Sequence, residues 1–129
     1  MATQKFLLVD DDPAFNFLSR IAISKKVDNC VIDIALNGQK ALDYLEKNDC
    51  PDIIFLDINM PVIDGFQFLA AFSKKTTCCD KSKIFMLTSS VRQEDKILAA
   101  ASNCVSGFLQ KPLTDIMVDD ILNQLAKRA

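Results

Sequence analysis

Short runs of consecutive apolar residues constrain this chain more than any other feature. Residues 6–9, 53–56 and 84–87 are apolar without a break, residues 105–109 make a weaker run, and residues 31–36 make a fifth interrupted by Asp33. A strand that meets water on one side alternates apolar with polar residues, whereas a strand covered on both faces is apolar throughout. The runs therefore predict strands of a parallel sheet held between two layers of helices.

Helical period fills the gaps between them. Asp12-Pro13 supplies an N-cap and a first-turn proline, followed by Phe15, Leu18, Ile21 and Ala22 at helical spacing. Asn37 caps a second helix with Ala41, Leu42 and Leu45, and a third carries Phe68, Leu69 and Phe72. A fourth, weaker helix spans 92–102, and residues 73–82 read as a polar loop before the fourth strand. The last helix shows Leu113, Met117, Ile121 and Leu125 at four-residue steps and ends near Lys127 and Arg128, which suits a helix C-terminus. Strand and helix thus alternate five times without an internal repeat. The expected architecture is α/β, a five-stranded parallel sheet with helices on both faces, in one domain over residues 1–129.

Composition excludes several functions. Fifteen basic against seventeen acidic residues give a net charge of -2, and basic residues cluster no further than pairs such as Lys25-Lys26 and Lys74-Lys75. Nucleic acid is therefore not the expected partner. No apolar run approaches the ~18 residues of a membrane span, so no membrane partner is expected. No secretory signal precedes residue 6, which predicts a cytoplasmic protein. Histidine is absent, which excludes a catalytic triad, a histidine metal site and a phosphohistidine donor role. Only three glycines are present, with neither a GxGxxG nor a GxxxxGK[ST] pattern to cradle a nucleotide. The five cysteines, 30, 50, 78, 79 and 104, form no CxxC pair, and their odd number in such a chain reads as reduced thiols.

Chemistry gathers where the strands end. All strand C-termini of a parallel sheet line one edge, and ligands bind there. That edge receives Asp10, Asp11 and Asp12 after the first strand, Asp57 after the third, Thr88-Ser89-Ser90 after the fourth and Lys111-Pro112 after the fifth. Asp12 reads as a helix cap. Two carboxylates ~4 Å apart repel by about 4 kcal/mol at an effective dielectric near 20, and a third adds to that cost. A fold tolerates them if a divalent cation binds or a cationic side chain reaches in. Oxygen-only ligands suit magnesium, and Lys111 is the available cation.

These residues sit in stretches that resemble the receiver domain of bacterial two-component response regulators over nearly the whole chain. The stretches are Leu7-Leu-Val-Asp-Asp-Asp-Pro13, Ala35-Leu-Asn-Gly-Gln-Lys-Ala-Leu42, Asp52-Ile-Ile-Phe-Leu-Asp-Ile-Asn-Met-Pro61 with Asp64-Gly65, Leu87-Thr-Ser89 and Gly107-Phe-Leu-Gln-Lys-Pro112. The resemblance, not the periodicity, implies a flavodoxin-like fold with strand order 2-1-3-4-5. It implies Asp57 as phosphoacceptor, Asp10 and Asp11 as magnesium ligands with Asp57, and Asn59 as the donor of a metal-binding backbone carbonyl. Thr88 and Lys111 then hold the phosphoryl group, Phe108 matches an aromatic switch residue, and the Lys111-Pro112 bond is expected to be cis. Asn59 and Ser90, neighbours of the site, are expected to tune the phosphoryl lifetime.

The function implied is a stand-alone, magnesium-dependent phosphoacceptor that catalyses only its own phosphorylation and dephosphorylation. Its donor would be a sensor histidine kinase or a histidine phosphotransfer protein, and its output contact with an unidentified downstream protein. Two alternatives stand beside it. A phosphohydrolase of the haloacid-dehalogenase type needs a second Asp two residues after the first, where this chain has Asn59. A pseudo-receiver that never carries phosphate typically lacks the acidic pair, the acceptor or the lysine, all of which are present here.

Overall fold

The computed structural model describes residues 4–75, 77–89 and 92–127. Its elements alternate as expected: β1 (Gln4–Val9), α1 (Pro13–Lys26), β2 (Cys30–Ala35), α2 (Gly38–Lys47), β3 (Ile53–Asp57), α3 (Gly65–Lys75), β4 (Lys83–Thr88), α4 (Gln93–Ala100), β5 (Val105–Gln110) and α5 (Asp115–Lys127). The strands form one parallel sheet in the order β2-β1-β3-β4-β5. No described helix is long and apolar enough to cross a membrane.

Successive residues of the central strands serve opposite faces, which is why their apolar runs are continuous. Phe6, Leu8, Ile53, Phe55, Phe85 and Leu87 pack against Ala22 and Ile23 of α1 and Val118 and Ile121 of α5. Leu7, Val9, Ile54, Leu56, Ile84 and Met86 pack on the other face against α2, α3 and Ala99 of α4. Phe68 and Phe72 are fully buried there, as core packing requires. On the first face the rings of Phe6, Phe55 and Phe85 form a row with centroids 6.4 and 6.0 Å apart. The polar interruption in β2 is satisfied on the edge strand, where Tyr44 Oη of α2 donates to Asp33 Oδ2 at 2.7 Å.

Local signals act where the chain predicts them. Asp12 caps α1 by accepting from Ala14 N–H at 2.9 Å, and Asn37 caps α2 by accepting from Lys40 N–H at 2.8 Å. Asp64 and Gln67 form a reciprocal capping box at the start of α3, each backbone N–H donating to the other side chain at 2.8 Å. Leu113 lies before α5, not on it: Thr114 is the cap, and Leu113 packs in the same cluster as Val118 as a hydrophobic staple.

Three further expectations are corrected. The buried side of α1 is Asn16, Ser19, Ala22 and Ile23, whereas Leu18 and Ile21 are exposed and Phe17 is 63 % exposed. Asn16 is accommodated inside because its Nδ2 donates to the Asp10 carbonyl at 3.0 Å, which satisfies the buried amide. Residues 73–82 are not a plain loop, since α3 runs to Lys75 and a 3-10 turn forms at Cys78–Asp80. The cysteines are not all thiols either: Cys50 is bonded to Cys78 and Cys79 to Cys104, leaving Cys30 free. The helical crossovers bring together cysteines 28 and 25 residues apart, a proximity that sequence spacing does not reveal.

The loop after Asp57 turns without help from a glycine's conformational freedom. No glycine among the described residues has positive φ; the left-handed residue is Val62 at φ 73°, a strained conformation for a β-branched side chain. Gly65 is needed for space, because a Cβ there would lie 2.7 Å from the Asp57 carbonyl oxygen and 2.9 Å from Ile58 Cα. Gly65→Ala is therefore expected to destabilise by about 1–3 kcal/mol through backbone displacement. Urea unfolding checks this, and an unchanged midpoint would show that the loop yields freely.

Candidate functional site

Register builds the site. Val9 pairs with Leu56 across β1 and β3, so the next residues, Asp10 and Asp57, emerge side by side at the C-terminal edge. Both are buried, while Asp11 is exposed. Thr88 ends β4 beside Gln110 of β5, is fully buried, and its carbonyl accepts from Lys111 N–H at 2.7 Å. The Lys111-Pro112 bond is cis. Asn59 N–H reaches Asp57 Oδ1 at 3.4 Å. Every predicted site residue except Ser90, which lies outside the described residues, thus comes to the same edge. Phe108 is half-buried, opposite Met86 on β4, and packs on the cluster of the α2, α3 and α4 face.

Lys111 organises the charges. Its ammonium lies 2.7 Å from Asp10 Oδ2 and 3.5 Å from Asp57 Oδ1, with the lysine side chain only 7 % exposed. Asp10 Oδ1 also accepts from Asp12 N–H at 2.9 Å, which fixes the carboxylate plane. Burial first, and then the Asp10 charge, push the Asp57 carboxyl up to about 6; Lys111 and the Asn59 N–H act in the opposite direction. The dominant cause is loss of hydration of the charged form. At neutral pH Asp57 is therefore mostly ionised.

Two contributors were not legible in the chain. Phe15 places its ring 4.2 Å from the Lys111 ammonium, a cation–π contact that steadies the lysine head. Asn16 holds the Asp10 carbonyl and so the turn between β1 and α1. The one sequence signal for Asn16 was its three-residue spacing from Ser19 and Ala22, a helical stripe that is mostly polar.

Carboxylate oxygens of Asp10, Asp11 and Asp57 lie within 4.8 Å of one another. Three formal negative charges against one lysine leave the cluster negative, and all its donors are hard oxygens. That donor set fits magnesium, which keeps several waters and needs few protein ligands. Exposed Asp11 leaves the cluster open to solvent on one side.

Comparison with known proteins agrees with this geometry. The signature of the response regulator receiver domain matches residues 6–123. The nitrate/nitrite response regulator NarL of Escherichia coli is 31% identical over 123 residues, which cover 95% of this chain and 53% of NarL. The chain spans about half the length of several curated relatives it matches. The chemotaxis protein CheY of Halobacterium salinarum is 26% identical, over 95% of this chain and 96% of CheY. Among solved structures, a two-component response regulator from Cytophaga hutchinsonii superimposes with a TM-score of 0.88 at 30% identity, covering 96% of this chain and 97% of the other. Vibrio cholerae CheY4 gives 0.81 at 28% identity, covering 95% and 98%. With both sequence signature and site-bearing fold in agreement, the chain belongs to the response regulator receiver domain family, the signalling module of two-component systems in which phosphorylation and magnesium binding are general features.

Proposed function

We propose that Asp57 accepts a phosphoryl group from a phosphohistidine donor, a sensor histidine kinase or a histidine phosphotransfer protein, and that the phosphorylated chain signals by protein contact. The observation that carries this reading is a buried carboxylate at the end of β3 with a lysine ammonium 3.5 Å away and two further carboxylates beside it. A phosphoryl acceptor must be ionised, directional and charge-compensated, and Asp57 meets each requirement.

In the proposed reaction, a carboxylate oxygen of Asp57 attacks phosphorus, and the bond between phosphorus and the donor nitrogen breaks. The leaving imidazole takes a proton, and Asp57 becomes an acyl phosphate. No general base is needed, since the nucleophile is mostly deprotonated at neutral pH. Phosphoryl transfer depends mostly on positioning and charge neutralisation. Lys111 supplies one positive charge from the chain itself, held by Asp10 and Phe15. Thr88, at the end of the neighbouring strand, would offer its hydroxyl to a phosphoryl oxygen. Asp10, Asp11, Asp57 and the Asn59 carbonyl would hold magnesium, which when bound adds charge neutralisation for the transferring oxygens.

Exposed Ile97 and Leu98 on α4 and Ile116 on α5 support a partner surface on that side, with half-buried Phe108 as the element that turns when Thr88 is drawn toward phosphate. The reading places the chain in the cytoplasm. The whole cycle belongs to a signalling protein rather than to an enzyme with an external substrate.

The test is labelling with acetyl phosphate and magnesium, read by mass spectrometry. Wild type should gain one base-labile phosphoryl group and Asp57→Asn none. Equal labelling of both would move the acceptor elsewhere, and no label on either would fit a binding module that never carries phosphate. Asp11→Ala separates metal from acceptor. It should keep the fold, since Asp11 is exposed, and lose most magnesium affinity by titration. Unchanged affinity would remove Asp11 from the ligand set.

A further inference from the structure

The edge of the sheet opposite Asp57 carries a feature that phosphoryl transfer does not use. Cys78 and Cys79 are neighbours in the 3-10 turn that precedes β4, and they bond in different directions. Cys78 reaches Cys50, three residues before β3, and Cys79 reaches Cys104, the residue before β5. The N-terminal ends of three adjacent strands, β3, β4 and β5, are thus stapled together through one turn. These are the strands whose C-terminal ends carry Asp57, Thr88 and Lys111.

The fold does not need these bonds for its core. Disulfides substitute for hydrophobic burial in chains too small to bury enough, whereas this chain covers both faces of its sheet with apolar side chains. Each bond also joins one buried cysteine, Cys78 or Cys104, to one half-buried cysteine, Cys50 or Cys79. Cys50 and Cys78 line a groove of about 680 Å³ together with Asn48, Thr77 and Lys81, wide enough to admit a small thiol. The Cα–Cα distances of 5.5 and 5.1 Å are ordinary for bridged cysteines, so reduced thiols would stay poised to close again.

We propose that the two disulfides form a reversible thiol–disulfide latch that holds the α4–β5 segment to the sheet, and that dithiols open it. A dithiol thiolate attacks Sγ of Cys50; the Cys50–Cys78 bond breaks and its electron pair leaves on Cys78 Sγ, which takes a proton. The second thiol of the reagent attacks the mixed disulfide, releasing Cys50 as a thiol and closing the reagent's own disulfide. The protein bond gains two electrons and two protons, and the dithiol loses the same. Cys79–Cys104 opens by the same exchange, with attack at half-buried Cys79. Once it is open, Cys104 keeps its packing and its N–H bond to Ser102 Oγ at 3.3 Å but loses its covalent tie to the turn before β4. β5 is an edge strand and its pairing with β4 already shifts register between Ile84 and Phe85, so this end of the ladder is the one that loosens.

The latch is independent of the chemistry at Asp57, and its test needs no phosphate. The full chain, prepared without reductant, is denatured and alkylated with iodoacetamide; one label at Cys30 is expected, and five labels after dithiothreitol. Hydrogen exchange of the folded protein should then show α4 and β5 amides exchanging at least tenfold faster after reduction, with β1 unchanged and the original rates restored by reoxidation. The double variant C79S/C104S should exchange fast at α4 and β5 with or without dithiothreitol, while C50S/C78S should still respond. Five labels without reductant would overturn the proposal. So would identical exchange in the two redox states, or global unfolding on reduction, which would make the bonds obligatory staples.

Discussion

Asp57→Asn is expected to make the folded chain more stable at pH 8, by about 1–3 kcal/mol, while abolishing phosphorylation. The Asp57 carboxyl is raised from 3.8 to about 6 by burial and by the Asp10 charge. A shift of this size corresponds to roughly 3 kcal/mol of penalty on the ionised form, and loss of the longer Lys111 contact offsets part of the gain. Lys111 retains Asp10 at 2.7 Å in the variant. The sign with pH follows from proton binding. Between about pH 4 and 6 the folded wild type holds a proton that the unfolded chain has lost, so this group's contribution falls as pH rises and is flat above. The stability gap between variant and wild type should therefore be small near pH 4, open through pH 6 and stay constant to pH 8. Urea unfolding at those three pH values measures it. A variant less stable than wild type at pH 8 would mean that Lys111 and the Asn59 N–H outweigh burial.

Lys111→Met should have the opposite and larger effect, a loss of about 3–5 kcal/mol at pH 8, because removing one member of a buried ion pair strands the other. Here two carboxylates are stranded, Asp10 at 2.7 Å and Asp57 at 3.5 Å, and the cation–π contact with Phe15 disappears as well. Methionine keeps most of the aliphatic volume, so the loss reports charge more than packing. Since Lys111 lowers the Asp57 carboxyl, its removal should raise that group further, and the destabilisation should shrink toward pH 4 as Asp57 protonates. Adding Asp57→Asn to Lys111→Met should recover more stability than Asp57→Asn gives alone, a non-additivity expected of groups in one cluster. A loss below about 1 kcal/mol at pH 8 would show that solvent, not Lys111, holds these charges.

Both expectations rest on a site that was largely readable in the chain, for a definite reason. In a parallel sheet every strand points the same way, so any residue that follows a strand lands on one edge. Asp10, Asp11, Asp57, Thr88 and Lys111 could be gathered from the ends of four of the five short apolar runs without knowing the strand order. The order itself came through the family resemblance, because a continuous apolar run says that a strand is covered and not which strand lies beside it. Caps were equally legible: Asp12 and Asn37 act within three residues of themselves, where spacing along the chain is spacing in space.

Contacts that depend on how elements meet were decided only by the tertiary structure. Counting apolar residues at helical spacing turned α1 the wrong way, because the inward position of Asn16 depends on the Asp10 carbonyl that its amide meets there, while Leu18 and Ile21 stay exposed. Gly65 was legible as a glycine but not as a gap, since the Asp57 carbonyl that fills the space comes from another element. The cysteines carry the same lesson furthest. Their spacing along the chain has no bearing on pairing; Cys78 and Cys79 find Cys50 and Cys104 because β3 and β5 flank β4, and that adjacency exists only after the sheet has assembled.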